Sequence, residues 1–395
     1  MRPVKQAGVV STHTMVNFLP PAGAVSGGAV LLLLHVSRLG FFFVSACMLT
    51  YTYSGLTWRG LPRFYWRRFL SVGVPYVCWT VIYFFFLMPT AHYQGAGPAL
   101  EGLSRMAETG YYQLYFLLVI MQFYVVFPLV LVFLRWTRGH HGLVVAAAVA
   151  AQVALAVLTH WQLLPHVMQQ YSQEDGLSYV LYLAGGCVVA DHFEQVDAWV
   201  RRHARLIVAA TAVAALAAEG VYVVSHYGVT VLGSGSDPFQ PSVIPFNVGA
   251  IACVYLAGVA LVRPGRSRFT RAVVRSGSDN AYGIYLTHLL FITVLLWLGW
   301  KNFNVDVPWP LFCLLTAAIV VTCCVTLTAL LARTPLAVPL TGRRQVPWRR
   351  PGRRPAAPPD AGTTDAAGAA DAAGAARAPG RRGEMVGAPG ADPAA

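Results

Sequence analysis

Charged side chains are scarce in this sequence. Only 11% of its 395 residues are Asp, Glu, Lys or Arg, whereas 56% are hydrophobic, and the mean hydropathy is +0.54. A soluble globular domain carries about 25% charged residues, so this composition excludes that class and indicates a polytopic membrane protein. The net charge of +13 does not indicate nucleic-acid binding, because the basic residues lie in short loops between apolar runs and form no patch on a soluble domain.

Several chemical signatures are also missing. The seven cysteines all lie in apolar stretches without metal-ligand spacing, so we interpret them as small buried hydrophobic residues and predict no metal site. No G-x-S-x-G nucleophile elbow occurs, which disfavours a Ser acyl-enzyme. No cleavable signal peptide is predicted at the start of the chain.

What the sequence does contain is a series of apolar windows, each close to the ~20 residues that a spanning helix needs. Breaks at charged residues, Pro and Gly define ten predicted spans. They cover residues 4–21, 29–54, 69–89, 111–134, 142–160, 176–191, 205–226, 244–262, 280–299 and 309–332. The fold class expected is therefore all-α, with about ten transmembrane helices in one bundle.

The basic residues predict the orientation of this bundle. With the N-terminus placed in the cytoplasm, nearly all of the 29 Lys and Arg fall in inner segments, and only Arg38, Arg105 and Lys301 do not. Such a bias follows the positive-inside rule, and we expect both termini in the cytoplasm and the protein in the cell membrane. After Leu340 the composition changes to Arg, Ala, Gly and Pro. We therefore predict a membrane domain at 1–340 and a disordered tail at 341–395.

A few polar residues interrupt the apolar spans. An Arg near mid-bilayer costs at least ~2.5 kcal/mol, so Arg38 should face the bundle interior, a cavity or a partner. His13 is placed at a similar depth, near mid-bilayer, while Glu219 and His288 fall within later spans. Gln122 and Gln152 have a structural interpretation as helix-to-helix hydrogen bonds, and this is favoured for them. For His13 and Arg38 together a functional role is favoured, with His13 as a general base and Glu219 as the carboxylate that could orient it.

A second polar group precedes the third span, where four Arg residues lie between Arg59 and Arg68. Guanidinium groups bind phosphate well, so a cytosolic cofactor rich in phosphate could dock there. The alternative is membrane anchoring by the positive-inside rule, which suffices for most of these residues. Arg68 is closest to the hydrocarbon and is the candidate for a functional contact.

Five stretches together resemble the membrane acyltransferase-3 family. They are the ten-residue spacing between Arg2 and His13, FFFVSACML at 41–49, RRFLSVGVPYVCW at 67–79, YYQLYFLLVIMQFYVVFPLV at 111–130 and NAYGIYLTHLLF at 280–291. The resemblance implies transfer of an acyl group from cytoplasmic acyl-CoA, with no permanently bound cofactor, to a hydroxyl of a carbohydrate, lipid-linked glycan or secondary metabolite. It implies His13 as the catalytic base. The family's Arg-x-x-Arg motif for the CoA donor corresponds to Arg68 and Ser71, with Arg67 as a substitute for the missing second Arg.

The predicted reaction is direct transfer. His13 takes a proton from the acceptor hydroxyl while that oxygen attacks the thioester, and a cation such as Arg38 stabilises the oxyanion. His288 and Glu219 complete the predicted catalytic group, and membrane lipids, acyl-CoA and the acceptor are the expected partners. A ten-helix transporter or flippase of a lipid-linked or small amphipathic substrate is the alternative, because midplane polar residues fit it equally well. The absence of a visible internal repeat disfavours it.

Overall fold

The computed structural model of the protein describes residues 2–228, 239–262, 267–304, 307–342 and 345, and all the regular elements in these ranges are helices. The described α-helices are α1 Arg2–Phe18, α2 Ala24–Leu34, α3 Val36–Tyr53, α4 Leu61–Ala91, α5 Ala96–Thr109, α6 Tyr115–Trp136, α7 His141–His160, α8 His166–Gln170, α9 Val180–Asp191, α10 Phe193–Arg202, α11 Ala204–His226, α12 Ile244–Val262, α13 Arg268–Trp297, α14 Trp309–Leu331 and α15 Ala337–Thr341.

Eight helical segments in the described part of the chain are long and apolar enough to cross a membrane, and α2 with α3 counts as one of them. A ninth arises if α9 and α10, bent by 100° at His192, form one span. The predicted fold class, an all-α protein that crosses the membrane many times, is confirmed. Of the ten predicted spans, the first and the sixth lie outside the eight. The first is the 17-residue α1, and the sixth is the short α9 before the bend.

Helix ends follow from local sequence. α1 stops at Phe18, three residues before the predicted end, because Pro20 and Pro21 cannot continue an α-helix.

At the other end of the bundle, Arg135 in the last turn of α6 donates to the carbonyl oxygens of Ser54 and Leu56, which ties α6 to the α3–α4 connection. This end carries most of the Arg side chains in the described connections, and we call it the basic end. The end that carries α5 and residues 161–179 is called the loop end.

The core consists of two main clusters. One joins α3, α6, α7 and α9 through side chains such as Phe42 and Phe127, and the other joins α1, α4, α13 and α14 through side chains such as Tyr83 and Leu286. α3 and α9 approach closely because Gly186 faces α3, where an added Cβ would lie 2.3 Å from the carbonyl oxygen of Phe43.

The division into a membrane domain at 1–340 and a tail at 341–395 stays a prediction. The described helical part ends with α15 at Thr341. Two hydrogen bonds hold its last residues: the Trp79 indole donates to the Leu340 carbonyl oxygen over 3.0 Å, and the Gln345 amide donates to that of Arg333. Nearly all of the predicted tail, residues 343–344 and 346–395, lies outside the described residues, and so does the prediction of disorder there.

Candidate functional site

His13 lies on α1 between the two core clusters. It is five residues from the helix end at Phe18, about 7.5 Å at ~1.5 Å per residue. The sequence predicts His13 near mid-bilayer. Because α1 ends at Phe18 and not at residue 21, His13 lies closer to the loop end than that prediction placed it. Its ring centroid is 5.1 Å from that of Tyr112 and 5.1 Å from that of His288. His13 is half-buried, so the ring is partly open to the space described below.

Asn17 and Tyr112 hold the surroundings of His13. The Asn17 amide donates to the His13 carbonyl oxygen over 2.8 Å and to the Tyr112 hydroxyl over 3.3 Å. Tyr112 has a φ of 47°, a left-handed conformation that is an outlier for a bulky residue. Backbone strain of this kind persists where the surrounding structure fixes it, and it concentrates at functional sites.

His288 lies on α13 and is fully buried. Its Nδ1 is 2.7 Å from the Tyr285 carbonyl oxygen and 3.2 Å from that of Ile284, so Nδ1 carries the proton and donates it. Nε2 is then an acceptor, and it has no hydrogen-bond partner within the described part of the chain. A buried acceptor near the His13 ring can take a hydrogen bond from that ring or from a bridging water.

Arg38 lies in the first turn of α3, just after the break at His35. Its Nη1 donates to the Tyr115 hydroxyl over 2.7 Å and to the Gln173 amide oxygen over 3.2 Å. The guanidinium carbon is 5.7 Å from the Tyr115 ring centroid and 5.4 Å from that of Phe239. These contacts place the charge inside the bundle, where polar and aromatic partners reduce the cost of burying it.

Two cavities meet at His13 and Arg38. The first, of about 1010 Å³, extends toward the loop end, and the second, of about 600 Å³, extends toward the basic end. Val9, His13, Arg38 and Tyr115 line both. Molecules that enter from opposite ends of the bundle could therefore reach the same imidazole and the same guanidinium.

The cavity at the loop end is bounded by α4, α5 and residues 110–115. Four tyrosines line it, and its polar groups include Glu101, Arg105 and Glu174. Glu101 and Arg105 pair with each other at 3.3 Å. Burial raises the pKa of the Glu174 carboxyl, although nearby backbone hydrogen bonds and Arg38 act in the opposite direction.

The cavity at the basic end follows α3 from Arg38 to Thr52, which is about 21 Å at ~1.5 Å per residue. Arg68 and Ser71 line it near its basic end. The Arg68 guanidinium carbon is 4.7 Å from the Tyr53 ring centroid and 5.9 Å from that of Tyr124, and Ser71 donates to the Arg68 carbonyl oxygen. An elongated ligand with a phosphate-bearing head could thus extend from Arg68 to His13.

The remaining predicted residues lie elsewhere. Arg67 is exposed and lines neither cavity, in contrast to its neighbour Arg68. Glu219 lies on α11 and also lines neither cavity, so the structure does not bring it to His13. Gln122 and Gln152 bond to backbone groups of residues 174–181, which fastens the loop end to α6 and α7.

Tyr112, Tyr115, Gln173 and Glu174 were not identified from the sequence. Tyr115 starts α6, Tyr112 precedes it in a connecting segment, and the other two lie between α8 and α9. In the sequence they look like interfacial aromatic and loop residues, a common feature of membrane proteins. Gln173 and Glu174 come beside Arg38 only because the 161–179 connection approaches α3.

Comparison with known families gives a match over most of the chain. The model of the acyltransferase-3 family, described as an acyltransferase domain, matches residues 7–329. The matched range includes His13, Arg38, Arg68 and His288 and most of the described helices. Searches of curated proteins and of solved structures found no match. Since the family model covers well over half of a chain with many membrane-spanning helices, the chain belongs to the acyltransferase-3 family of membrane acyltransferases.

Proposed function

We propose that this acyltransferase moves an acyl group, in the simplest case acetyl, from cytoplasmic acyl-CoA to a hydroxyl of a carbohydrate, glycolipid or secondary metabolite at the cell membrane. The observation that carries the proposal is the meeting of two cavities from opposite ends of the bundle at His13 and Arg38. A soluble donor and a membrane-bound or external acceptor would each need such an entrance.

The donor would occupy the cavity at the basic end. Arg68 offers a cation for CoA phosphates, and the length of about 21 Å along α3 suits an extended, narrow arm that carries the thioester toward Arg38. Arg67 is exposed outside the cavity, which leaves Arg68 and Ser71 as the candidate donor contacts.

The acceptor would occupy the larger cavity at the loop end. Its four tyrosines and its carboxylate and guanidinium groups can contact a polyhydroxylated molecule through ring faces and hydrogen bonds. The entrance lies at the end of the bundle that the positive-inside rule assigns to the exterior. The acceptor hydroxyl would then approach His13 from that side.

In the proposed step, His13 accepts the proton of the acceptor hydroxyl while that oxygen attacks the thioester carbonyl. The carbon–sulfur bond breaks as the new carbon–oxygen bond forms, and the proton held on His13 passes to the departing CoA thiolate. Arg38, fixed by Tyr115 and Gln173, stabilises the negative charge on the carbonyl oxygen. The free Nε2 of His288 would support the charged His13 ring.

The test of the catalytic base is thiol release from acetyl-CoA by purified protein in liposomes, with a hydroxyl-bearing acceptor present and His13→Gln compared with His166→Gln. His166 is exposed and lies outside both cavities. Loss of a general base lowers turnover by about 10²- to 10⁴-fold, so we expect that loss in His13→Gln and none in the control. Turnover that survives in His13→Gln would remove the assignment. Movement of a lipid-linked substrate without acyl-CoA consumption would favour the transporter.

The test of the donor site compares Arg68→Ala with Arg59→Ala. Both residues belong to the same basic group, but Arg59 is exposed and does not line the cavity. A contact between charged groups contributes about 1.5–3 kcal/mol, so Arg68→Ala should raise the KM for acetyl-CoA about tenfold or more. Equal KM values in the two variants would reduce the Arg group to an orientation signal.

A further inference from the structure

A second group of ionisable residues lies at the basic end, apart from both cavities. It consists of His141, Asp191 and His192. His141 is the first residue of α7, Asp191 is the last of α9, and His192 occupies the break before α10. His141 is about fifty positions from the adjacent pair Asp191 and His192, so the three show no ligand spacing, which is why the sequence predicted no metal site.

The three side chains offer ligand atoms that converge. His141 Nδ1 is 2.8 Å from His192 Nε2 and 3.7 Å from an Asp191 carboxylate oxygen, and the three atoms lie within 4.8 Å of one another. Ligands ~2.05 Å from a tetrahedral zinc ion are about 3.3 Å apart. Of the two distances from His141 Nδ1, the one to His192 is shorter than this value and the one to Asp191 is longer. Small rotations of the two more exposed side chains would bring all three atoms to bonding distance of one ion.

The surroundings of His141 are those of a metal ligand. Its Nε2 is 2.9 Å from the Leu134 carbonyl oxygen, and an Nε2–H that donates there leaves the Nδ1 lone pair directed at the group. Ligating histidines almost always bond in this way through the other ring nitrogen, which fixes the tautomer and the ring orientation. His141 is only 6% exposed, whereas the Asp191 side chain is 42% exposed. The site is thus anchored on one side and open to solvent on the other.

We propose that His141, Asp191 and His192 bind one divalent transition-metal ion of the zinc class, with water in the fourth position. Two imidazoles and a carboxylate favour such an ion over calcium or magnesium, which prefer oxygen ligands. The ion would connect the start of α7 to the 100° bend between α9 and α10. Since none of its ligands lines either cavity, its role is structural: it holds the bend, and with it α9, which packs along α3.

Metal content is the direct measurement. The protein is purified through a tag without histidine, stripped with chelator, incubated with zinc and dialysed, and bound zinc is counted by mass spectrometry alongside calorimetric titration. We expect one zinc per chain in the wild type and in His140→Ala, an exposed neighbour outside the group. His192→Ala and Asp191→Asn should each weaken binding at least tenfold. Both residues are partly exposed, so these variants should fold, which gel filtration checks.

Thermal unfolding supplies the second readout. Zinc should raise the Tm of the wild type and of His140→Ala and leave that of His192→Ala unchanged, because an ion that binds only the folded state stabilises it. Two results would overturn the proposal. One is a wild type that retains no stoichiometric zinc, which would leave a direct hydrogen bond between the two imidazoles. The other is His192→Ala protein that binds zinc as tightly as the wild type.

Discussion

Tyr115→Phe tests whether the position of Arg38 matters for catalysis. The substitution removes one oxygen, the acceptor of a 2.7 Å hydrogen bond from Arg38 Nη1, and keeps the ring whose centroid lies 5.7 Å from the guanidinium carbon. This donor–acceptor distance is typical of a charge-assisted hydrogen bond. A hydrogen bond to a charged group contributes about 1.5–3 kcal/mol of stabilising free energy. If this whole contribution is expressed in the transition state, kcat falls by about 10- to 150-fold, at a factor of ten for each ~1.36 kcal/mol.

The assay is thiol release under saturating acetyl-CoA with an acceptor present, and the KM for acetyl-CoA is measured in parallel. We expect kcat to fall and this KM to stay within about twofold, because Tyr115 lies at the junction of the cavities and far along α3 from the Arg68 end. Tyr171→Phe is the matched control, since it removes a phenol hydroxyl at the loop end outside both cavities. A folded Tyr115→Phe variant with wild-type kcat would refute the role of Arg38 as a positioned cation.

The other predictions concern stability. Gly186→Ala should lower the Tm, because its Cβ would meet the α3 backbone and overpacking costs about 1–3 kcal/mol; Gly220→Ala, where nothing lies within 4 Å, should not. Burial raises the pKa of Glu174, so ionisation of this carboxyl above its ordinary pKa opposes folding. Glu174→Gln should therefore raise the Tm at pH 7, and the difference should vanish once the pH falls below the ordinary pKa of Glu. A Glu174→Gln protein less stable than wild type at pH 7 would contradict this reasoning.

Most of the membrane-spanning helices, and their order, follow from the sequence because length and apolarity are local properties. The predicted spans 205–226 and 244–262 agree with α11 and α12 to within a residue. α1 and α9 are harder to identify, since α1 is short and polar and α9 ends in the bend at His192. Such helices depend on packing against neighbouring helices, and a single window of sequence does not show that packing.

The candidate site was partly predictable for a different reason. His13, Arg38 and His288 stand out because ionisable residues are rare in apolar spans, and the structure gathers them around one junction. The same argument selected Glu219, which lies on α11 away from the cavities. Depth along a helix can be counted from the sequence, but the direction in which a side chain points depends on helix rotation, and that requires the packed bundle.

In the proposed function, donor and acceptor reach His13 from opposite ends of the bundle. The most direct test uses proteoliposomes in which the protein has a single orientation, established by protease protection, with an acceptor present throughout and acetyl-CoA supplied on one side only. We predict acyl transfer when acetyl-CoA is on the side of the basic end, where Arg68 and Ser71 line the cavity, and none when it is on the other side. Equal transfer from both sides, or transfer only from the loop end, would contradict entry of donor and acceptor from opposite ends.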